Sequence, residues 1–99
     1  MEKDITILEL IERLKLSANF TLLEIVDYWE ADLCAIALKK ENRLVYISTF
    51  NYADKKELYD DFDLELIDEN DKEKFKVIKT RRNASEDDLV NEIKLFLAV

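Results

Sequence analysis

The stretch ELYDDFDLELIDENDKEKFKVIKTR, residues 57–81, decides the fold because it holds two strand patterns of opposite charge around a polar turn. In its first half, apolar side chains at even positions alternate with acids and Tyr59 at odd positions, and Asp60 is the exception on the apolar side. This period of two is typical of a strand with one buried face. Leu58, Phe62 and Leu66 also have helical spacing, but the aspartates between them are poor helix formers, so we favour a strand.

The second half of the stretch contains a turn pattern followed by a second strand pattern. DENDKE, residues 68–73, is a polar run that predicts a turn, and KFKVIKTR, residues 74–81, predicts a strand that pairs back. Apolar Phe75 and Val77 are expected on one face with Lys79. The two strands together predict an antiparallel hairpin.

The residues that precede this hairpin predict one helix and three more strands. DITILELIERLKL, residues 4–16, places Ile7, Leu8, Ile11 and Leu14 at helical spacing after Asp4 as a cap, and Asn19 is expected to take a left-handed conformation beyond it. Strand-forming residues fill 20–30, 31–40 and LVYISTF at 44–50, and the turn KENR, residues 40–43, predicts a first hairpin.

The C-terminal residues SEDDLVNEIKLFLAV, 85–99, predict the second helix, with Ser85 as its cap and one apolar stripe. We therefore expect an α+β fold: a mostly antiparallel sheet of four to five strands, with an N-terminal and a C-terminal helix packed on one face. A chain of 99 residues fits a single domain, residues 1–99.

The composition argues against most enzymes. The chain has no glycine, no proline, no histidine and one cysteine, Cys34. Phosphate-binding loops need glycine, EF-hand loops need a central glycine, and most zinc sites and catalytic triads need histidine or several cysteines. We expect no catalytic activity, no cofactor and no metal.

The charge predicts the kind of partner. The net charge of −8 repels nucleic acid and attracts a basic protein. No apolar run reaches the length of about 20 residues that crosses a bilayer, so no membrane partner is expected and the predicted location is the cytoplasm.

The negative charge is confined to one part of the chain. Residues 54–73 contain ten acids and three bases, a net charge of −7, which leaves −1 for all other residues. Charge that served only solubility would be scattered. One interpretation is a docking surface; the other is a solvated strand face whose acids pair with the bases of residues 74–82 on the next strand.

The docking interpretation predicts a set of contact residues. Its acids and its aromatic anchors are Asp60, Asp61, Asp63, Glu65, Asp68, Glu69, Tyr59 and Tyr52. Aromatic side chains among charges are a common composition of tight protein interfaces. The prediction is therefore a protein-binding site without catalytic residues.

In its length, its acidity and its acid-and-aromatic segment ELYDDFDLELIDEND, the chain resembles the small acidic immunity proteins of bacterial toxin systems, including contact-dependent growth inhibition. The resemblance implies a toxin inhibitor or antitoxin that neutralises a basic toxin, expected to be a nuclease, by binding it. The alternative is a phage- or plasmid-type regulatory or scaffold domain that acts through self-association, by way of an apolar strand edge such as LVYISTF.

Overall fold

A computed structural model of the chain describes residues 3–27, 31–49, 59–67, 70 and 74–99. These residues include five antiparallel strands and two α-helices, which confirms the predicted α+β fold. The strands are β1 (Glu24–Val26), β2 (Ala35–Lys40), β3 (Arg43–Ser48), β4 (Tyr59–Ile67) and β5 (Phe75–Ser85), and the helices are α1 (Ile5–Leu14) and α2 (Glu86–Leu97). The strands lie in the sheet in their chain order, β1 to β5, so β1 and β5 are its two edges.

Helix α1 begins as predicted. The carboxylate of Asp4 accepts a hydrogen bond from the backbone N–H of Thr6 at 3.0 Å, and this contact satisfies a donor that the first turn leaves without a partner. The helix buries a stripe made of Ile7, Leu10, Ile11 and Leu14. Leu8 was predicted in that stripe, but it is 38% exposed, because Leu10 completes the i, i+3, i+4, i+7 pattern that starts at residue 7.

Helix α2 is capped at both ends by side chains. At its start, Ser85 Oγ accepts from the N–H of Asp88 at 3.2 Å, as the predicted cap requires. At its end, Arg43 Nη1 donates to the carbonyl of Phe96 at 2.8 Å, and the guanidinium lies 5.4 Å from the centre of the Phe96 ring. None of the described helices is long and apolar enough to span a bilayer.

The residues after α1 differ from the prediction. Asn19 was expected in the left-handed region, but its φ is −84°, and its side-chain oxygen accepts from the N–H of Thr21 at 3.1 Å. It therefore caps a short 3₁₀ turn, Phe20–Leu22, because a local side-chain acceptor serves that turn better than a helix-ending conformation does. A left-handed residue instead makes the β2–β3 turn, where Glu41 has φ of 56°.

Both helices pack on one face of the sheet, as predicted, and form the main core with it. The core contains the buried apolar residues Ile7, Leu10, Ile11, Leu14, Ile36, Leu38, Val45, Ile47, Phe62, Leu64, Ala84, Leu89, Ile93 and Leu97. Each of the larger side chains contributes about 1.5–3 kcal/mol by leaving water. On the opposite face of the sheet, which none of the described helices covers (the helix-free face), a smaller buried group contains Ala37, Leu44 and Ile67.

The β4–β5 hairpin is antiparallel, as predicted, but its register shifts twice. Between Asp60 and Phe62 the partner changes from Ala84 to Arg81, and between Leu64 and Glu65 it changes from Lys79 to Val77. Each shift inserts an extra β5 residue, and such a bulge moves later side chains to the other face. The predicted grouping of Lys79 with Phe75 and Val77 is therefore wrong: Lys79 lies on the helix side, where its Nζ binds Glu92 of α2.

Candidate functional site

Four of the predicted contact acids lie on β4, and the structure places them in three different environments. Asp60 and Asp61 are buried, at 4% and 6% exposure, whereas Asp63 and Glu65 are half-buried. The remaining predicted contacts lie outside the described residues: Tyr52, Asp68, Glu69 and the side chain of Tyr59. Among the four described acids, the outward acidic surface expected from the sequence is absent at Asp60 and Asp61.

Asp60 is enclosed between the sheet and the helices. It pairs in register with Ala84, a residue of the helix-side core, and its Oδ2 has no hydrogen-bond partner among the described residues. Burial, together with the negative charges of Glu86 and Asp61, raises the pKa of Asp60 to about 6, while the positive charge of Arg13 acts in the opposite direction. The ion pair between Arg13 Nε and Glu86 Oε1, 2.8 Å long, joins α1 to α2 near this carboxyl group.

Asp61 points to the opposite face and stabilises the first bulge. Its Oδ1 accepts a hydrogen bond from the backbone N–H of Asn83 at 3.1 Å. Asn83 has φ of 56°, a left-handed conformation that asparagine tolerates better than most residues. The role of Asp61 in the described residues is thus structural, since its oxygen satisfies a backbone donor that the bulge has removed from the ladder.

Asp63 and Glu65 form the remaining acidic pair of β4, on the helix-free face. Asp63 Oδ1 lies 3.2 Å from Arg82 Nη1, and the Asp63 side chain is 19% exposed. Burial raises the pKa of Glu65, and the nearby charge of Asp63 adds to the effect. One acid of the pair is therefore bound to β5, and the other is half-buried beside a like charge.

Tyr46 and Ser48 of β3 continue the polar row on the helix-free face. Tyr46 lies opposite Asp63, and Ser48 lies opposite Asp61. Burial raises the pKa of the Tyr46 hydroxyl group, while its hydrogen bond with Ser48 lowers it. Among the described residues, no three histidine, cysteine, aspartate or glutamate side chains are grouped as metal ligands would be.

The sequence-based prediction of the site missed the outer edge of β5. This strand has 11 residues and pairs only with β4 in the part of the chain that the structure describes. Three of its apolar side chains are well exposed: Phe75 (44%), Val77 (52%) and Ile78 (46%). The signal was present in the sequence, because the last strand of an antiparallel meander must lie at an edge of the sheet.

The bases of β5 are divided between internal ion pairs and solvent. Lys79 binds Glu92, Arg81 Nη2 lies 3.4 Å from Asp88, and Arg82 binds Asp63. The three basic side chains keep 44%, 39% and 55% of their surface exposed. Lys76 is exposed and makes no hydrogen bond or ion pair with a described residue. The edge is thus positively charged and partly apolar.

A shallow groove joins the start of β5 to the sheet. It is lined by Asn42, Leu66, Ile67, Lys74, Phe75 and Lys76. The combination of an unpaired edge, exposed apolar side chains and a groove is the composition of a strand-docking site.

The comparisons with known proteins add no assignment. No protein-family model matches the chain, and no curated protein or solved structure matches it.

Proposed function

We propose that the protein is a non-catalytic protein-binding domain that acts by stoichiometric association, and that β5 is its docking strand. The observation that carries the proposal is the edge itself: 11 residues with one unpaired side in the described structure and with Val77 and Ile78 about half exposed. Long exposed edges promote aggregation, and proteins usually shorten or cover them. An edge kept long and apolar is explained by a partner that pairs with it.

The charges on β5 are the obvious counter-argument, because lysines on an edge strand also prevent unwanted pairing. Three of the four bases of β5 pair with acids of the same molecule, however, and their side chains are drawn toward Glu92, Asp88 and Asp63. That leaves Val77 and Ile78 weakly protected. The remaining positive charge of the edge repels basic strands but permits acidic strands to pair with it.

Selection from a library of extended peptides displayed on phage tests the docking strand. We expect peptides that bind 1:1, are recovered chemically unchanged, and lose at least about tenfold in affinity when Ile78 is replaced by Lys, since the change removes apolar contact and adds repulsion. The matched control is Leu95→Lys, at an apolar residue of α2 that is 79% exposed. Equal losses in both variants, or peptides that bind elsewhere on the protein, would contradict the proposal.

A second candidate function is neutralisation of a basic protein, such as a nuclease toxin, by an immunity protein or antitoxin. It is supported by the half-buried pair Asp63 and Glu65 on the helix-free face and by the −7 charge of residues 54–73. Its predicted contacts at Asp60 and Asp61 lose support because both side chains are buried. Six of the ten acids of that segment lie outside the described residues: Asp54, Glu57, Asp68, Glu69, Asp71 and Glu73.

Binding of a basic peptide tests this candidate. A peptide that alternates lysine with valine should perturb the amide signals of Asp63 and Glu65, and the charge reversal Glu65→Lys should abolish that effect. Glu9→Lys, at an exposed position of α1, is the matched control. A peptide that perturbs neither residue would remove the support that this acidic pair gives.

The strand that was expected to mediate self-association does not lie at an edge of the sheet. The strand LVYISTF was expected to offer a free edge, but β3 pairs with β2 on one side and with β4 on the other. It cannot pair with a second copy while the sheet is intact. Among the described strands, only β5 and the three-residue strand β1 lie at an edge where a second copy could pair.

A further inference from the structure

The outer edge of β5 presents the same side chains as its inner edge, which already binds β4. Side chains of a strand stand above and below the sheet, where they reach neighbours on both sides. On the inner side, Leu64 faces Lys79, Glu65 faces Val77 and Leu66 faces Lys76. The inner partner therefore alternates acidic and apolar residues, and β5 accommodates both kinds.

The basic side chains of β5 can bind further carboxylates in addition to those that they already contact inside the molecule. A guanidinium group has five N–H donors, and Arg82 uses few of them: one nitrogen, Nη1, contacts both Asp63 and the carbonyl of Arg81. The Arg82 side chain is 55% exposed. Lys76 contributes a full charge with no described partner. A carboxylate on an adjacent strand could therefore bind here without displacing the internal pairs.

A second copy of this chain is a poor occupant of the same edge. Residues 74–84 contain five bases and no acid. Two β5 strands paired with each other would place bases close to bases, and like charges on neighbouring strands are destabilising. The same argument disfavours any basic strand. Charge thus selects against self-pairing and in favour of an acidic partner.

We infer that the outer edge of β5 binds an extended segment of another protein in which acidic and apolar side chains alternate, as they do in β4. This inference rests on the proposed function, because it names the partner chemistry of the same docking strand. The acidic side chains of such a segment share one face, where they meet Lys76 and Arg81 on the helix side, and the apolar ones cover Val77 on the opposite face. The partner chemistry is the opposite of the basic partner that the net charge of the chain predicts.

Titration of the full chain with two matched peptides tests the inference. One peptide alternates glutamate with valine and the other alternates lysine with valine, so that length and β-propensity are equal. Backbone amide shifts in NMR spectra locate the bound peptide. We expect the glutamate peptide to shift β5 amides and to bind at least about tenfold more tightly than the lysine peptide, with a difference that shrinks as salt screens the charges.

Charge reversal at one residue of β5 gives the second arm. Lys76→Glu should weaken the glutamate peptide about tenfold, whereas Lys94→Glu, the same change at an exposed residue of α2, should leave its affinity within about twofold. If Lys76→Glu fails to fold, Lys76→Gln removes the charge without adding repulsion, and it should weaken binding by a smaller factor.

The outcomes separate the inference from the function on which it rests. Equal binding of both peptides at β5 would overturn the acidic preference and leave β5 as a docking strand. If neither peptide shifts β5 amides, both the inference and the docking strand are contradicted. Shifts of β5 amides that depend on protein concentration, without peptide, would identify a second copy as the occupant and overturn the inference.

Discussion

Strands β4 and β5 are neighbours in one hairpin, but they use charge in opposite ways. β4 carries four acids, and the two nearest its start are buried while the other two are half-buried. β5 carries bases of which none is buried, and its apolar residues Val77 and Ile78 are about half exposed. The acidic strand is an inner strand of the sheet and the basic strand is an edge.

This difference shows that a highly charged segment of the sequence need not form a charged surface. The acids of β4 lie between β3 and β5, and Asp61 and Asp63 bind donors of β5. In the part of the chain that the structure describes, β5 has a neighbouring strand on one side only, and its bases retain solvent exposure even where they bind acids. In this hairpin, position in the sheet decides which strand can meet a partner, and the more highly charged segment of the sequence is not the more accessible one.

The largest expected effect compares one phenylalanine on each strand. Phe62 of β4 is fully buried and Phe75 of β5 is 44% exposed. Replacement of Phe62 by Ala should lower the free energy of unfolding by about 3–5 kcal/mol, whereas Phe75→Ala should cost about 1 kcal/mol or less. Urea denaturation measures both, and Phe62→Leu is the fallback if Phe62→Ala does not fold. Equal losses would show that the two strands are packed alike and would break the comparison.

The buried carboxyl group of Asp60 should destabilise the protein at neutral pH. Its folded-state pKa is about 6, above the unfolded value of 3.8, so the folded state binds more protons between these two pH values. The free energy of unfolding contributed by this group therefore falls as the pH rises from about 3.8 through about 6, and it stays low above that. A carboxylate that is paired with a cation has the opposite effect, because its lowered pKa makes it stabilise the folded state at neutral pH.

Replacement of Asp60 by Asn removes the charge at nearly constant shape. We expect a gain of about 1–3 kcal/mol in the free energy of unfolding near neutral pH, and almost no gain near pH 4, where the carboxyl group is protonated in the folded state. Denaturation at several pH values measures the difference. Glu9→Gln at an exposed position should show no such pH dependence. A loss of stability in Asp60→Asn at neutral pH would mean that Asp60 has an ionic partner.

The sequence predicted the elements better than their exposure. The hairpins and both helix caps follow from local patterns, because alternation, turn residues and a Ser or Asp before an apolar stripe act within a few residues. The burial of Asp61 depends on the N–H of Asn83, 22 residues away, and the face of Lys79 depends on a bulge. No local pattern encodes these contacts. The binding edge was predictable from strand order, but the concentration of acids directed attention to β4.

Substitution of Asn83, in the bulge next to Asp61, is expected to change the free energy of unfolding by a smaller amount. Asn83 holds a left-handed φ of 56° within β5, and β4 has no such residue. Asn83→Ala should lower the free energy of unfolding by about 1–2 kcal/mol because its Cβ opposes this conformation, whereas Asn83→Gly should be close to neutral. The backbone N–H that binds Asp61 is retained in both variants. If alanine and glycine behave alike, the bulge relaxes without cost and does not fix the position of Asp61.

The smallest expected effect concerns the ion pair that joins the two strands. A double-mutant cycle with Asp63→Ala and Arg82→Ala should give a coupling energy of about 0.2–1 kcal/mol, because Arg82 is 55% exposed and water competes for its charge. The coupling should decrease in about 1 M salt, where the screening length is about 3 Å.

The size of this coupling also bears on how β5 binds. A weak pair means that Arg82 can turn toward an incoming carboxylate at little cost to the hairpin, so β5 can meet an acidic strand on its outer edge while it remains paired with β4. A coupling above about 2 kcal/mol would be outside the range of exposed pairs and would commit Arg82 to Asp63. In that case, Lys76 and Arg81 alone would provide the charge that selects an acidic partner. The charges of β5 would then be less accessible to a partner, and β4 and β5 would differ less in this respect.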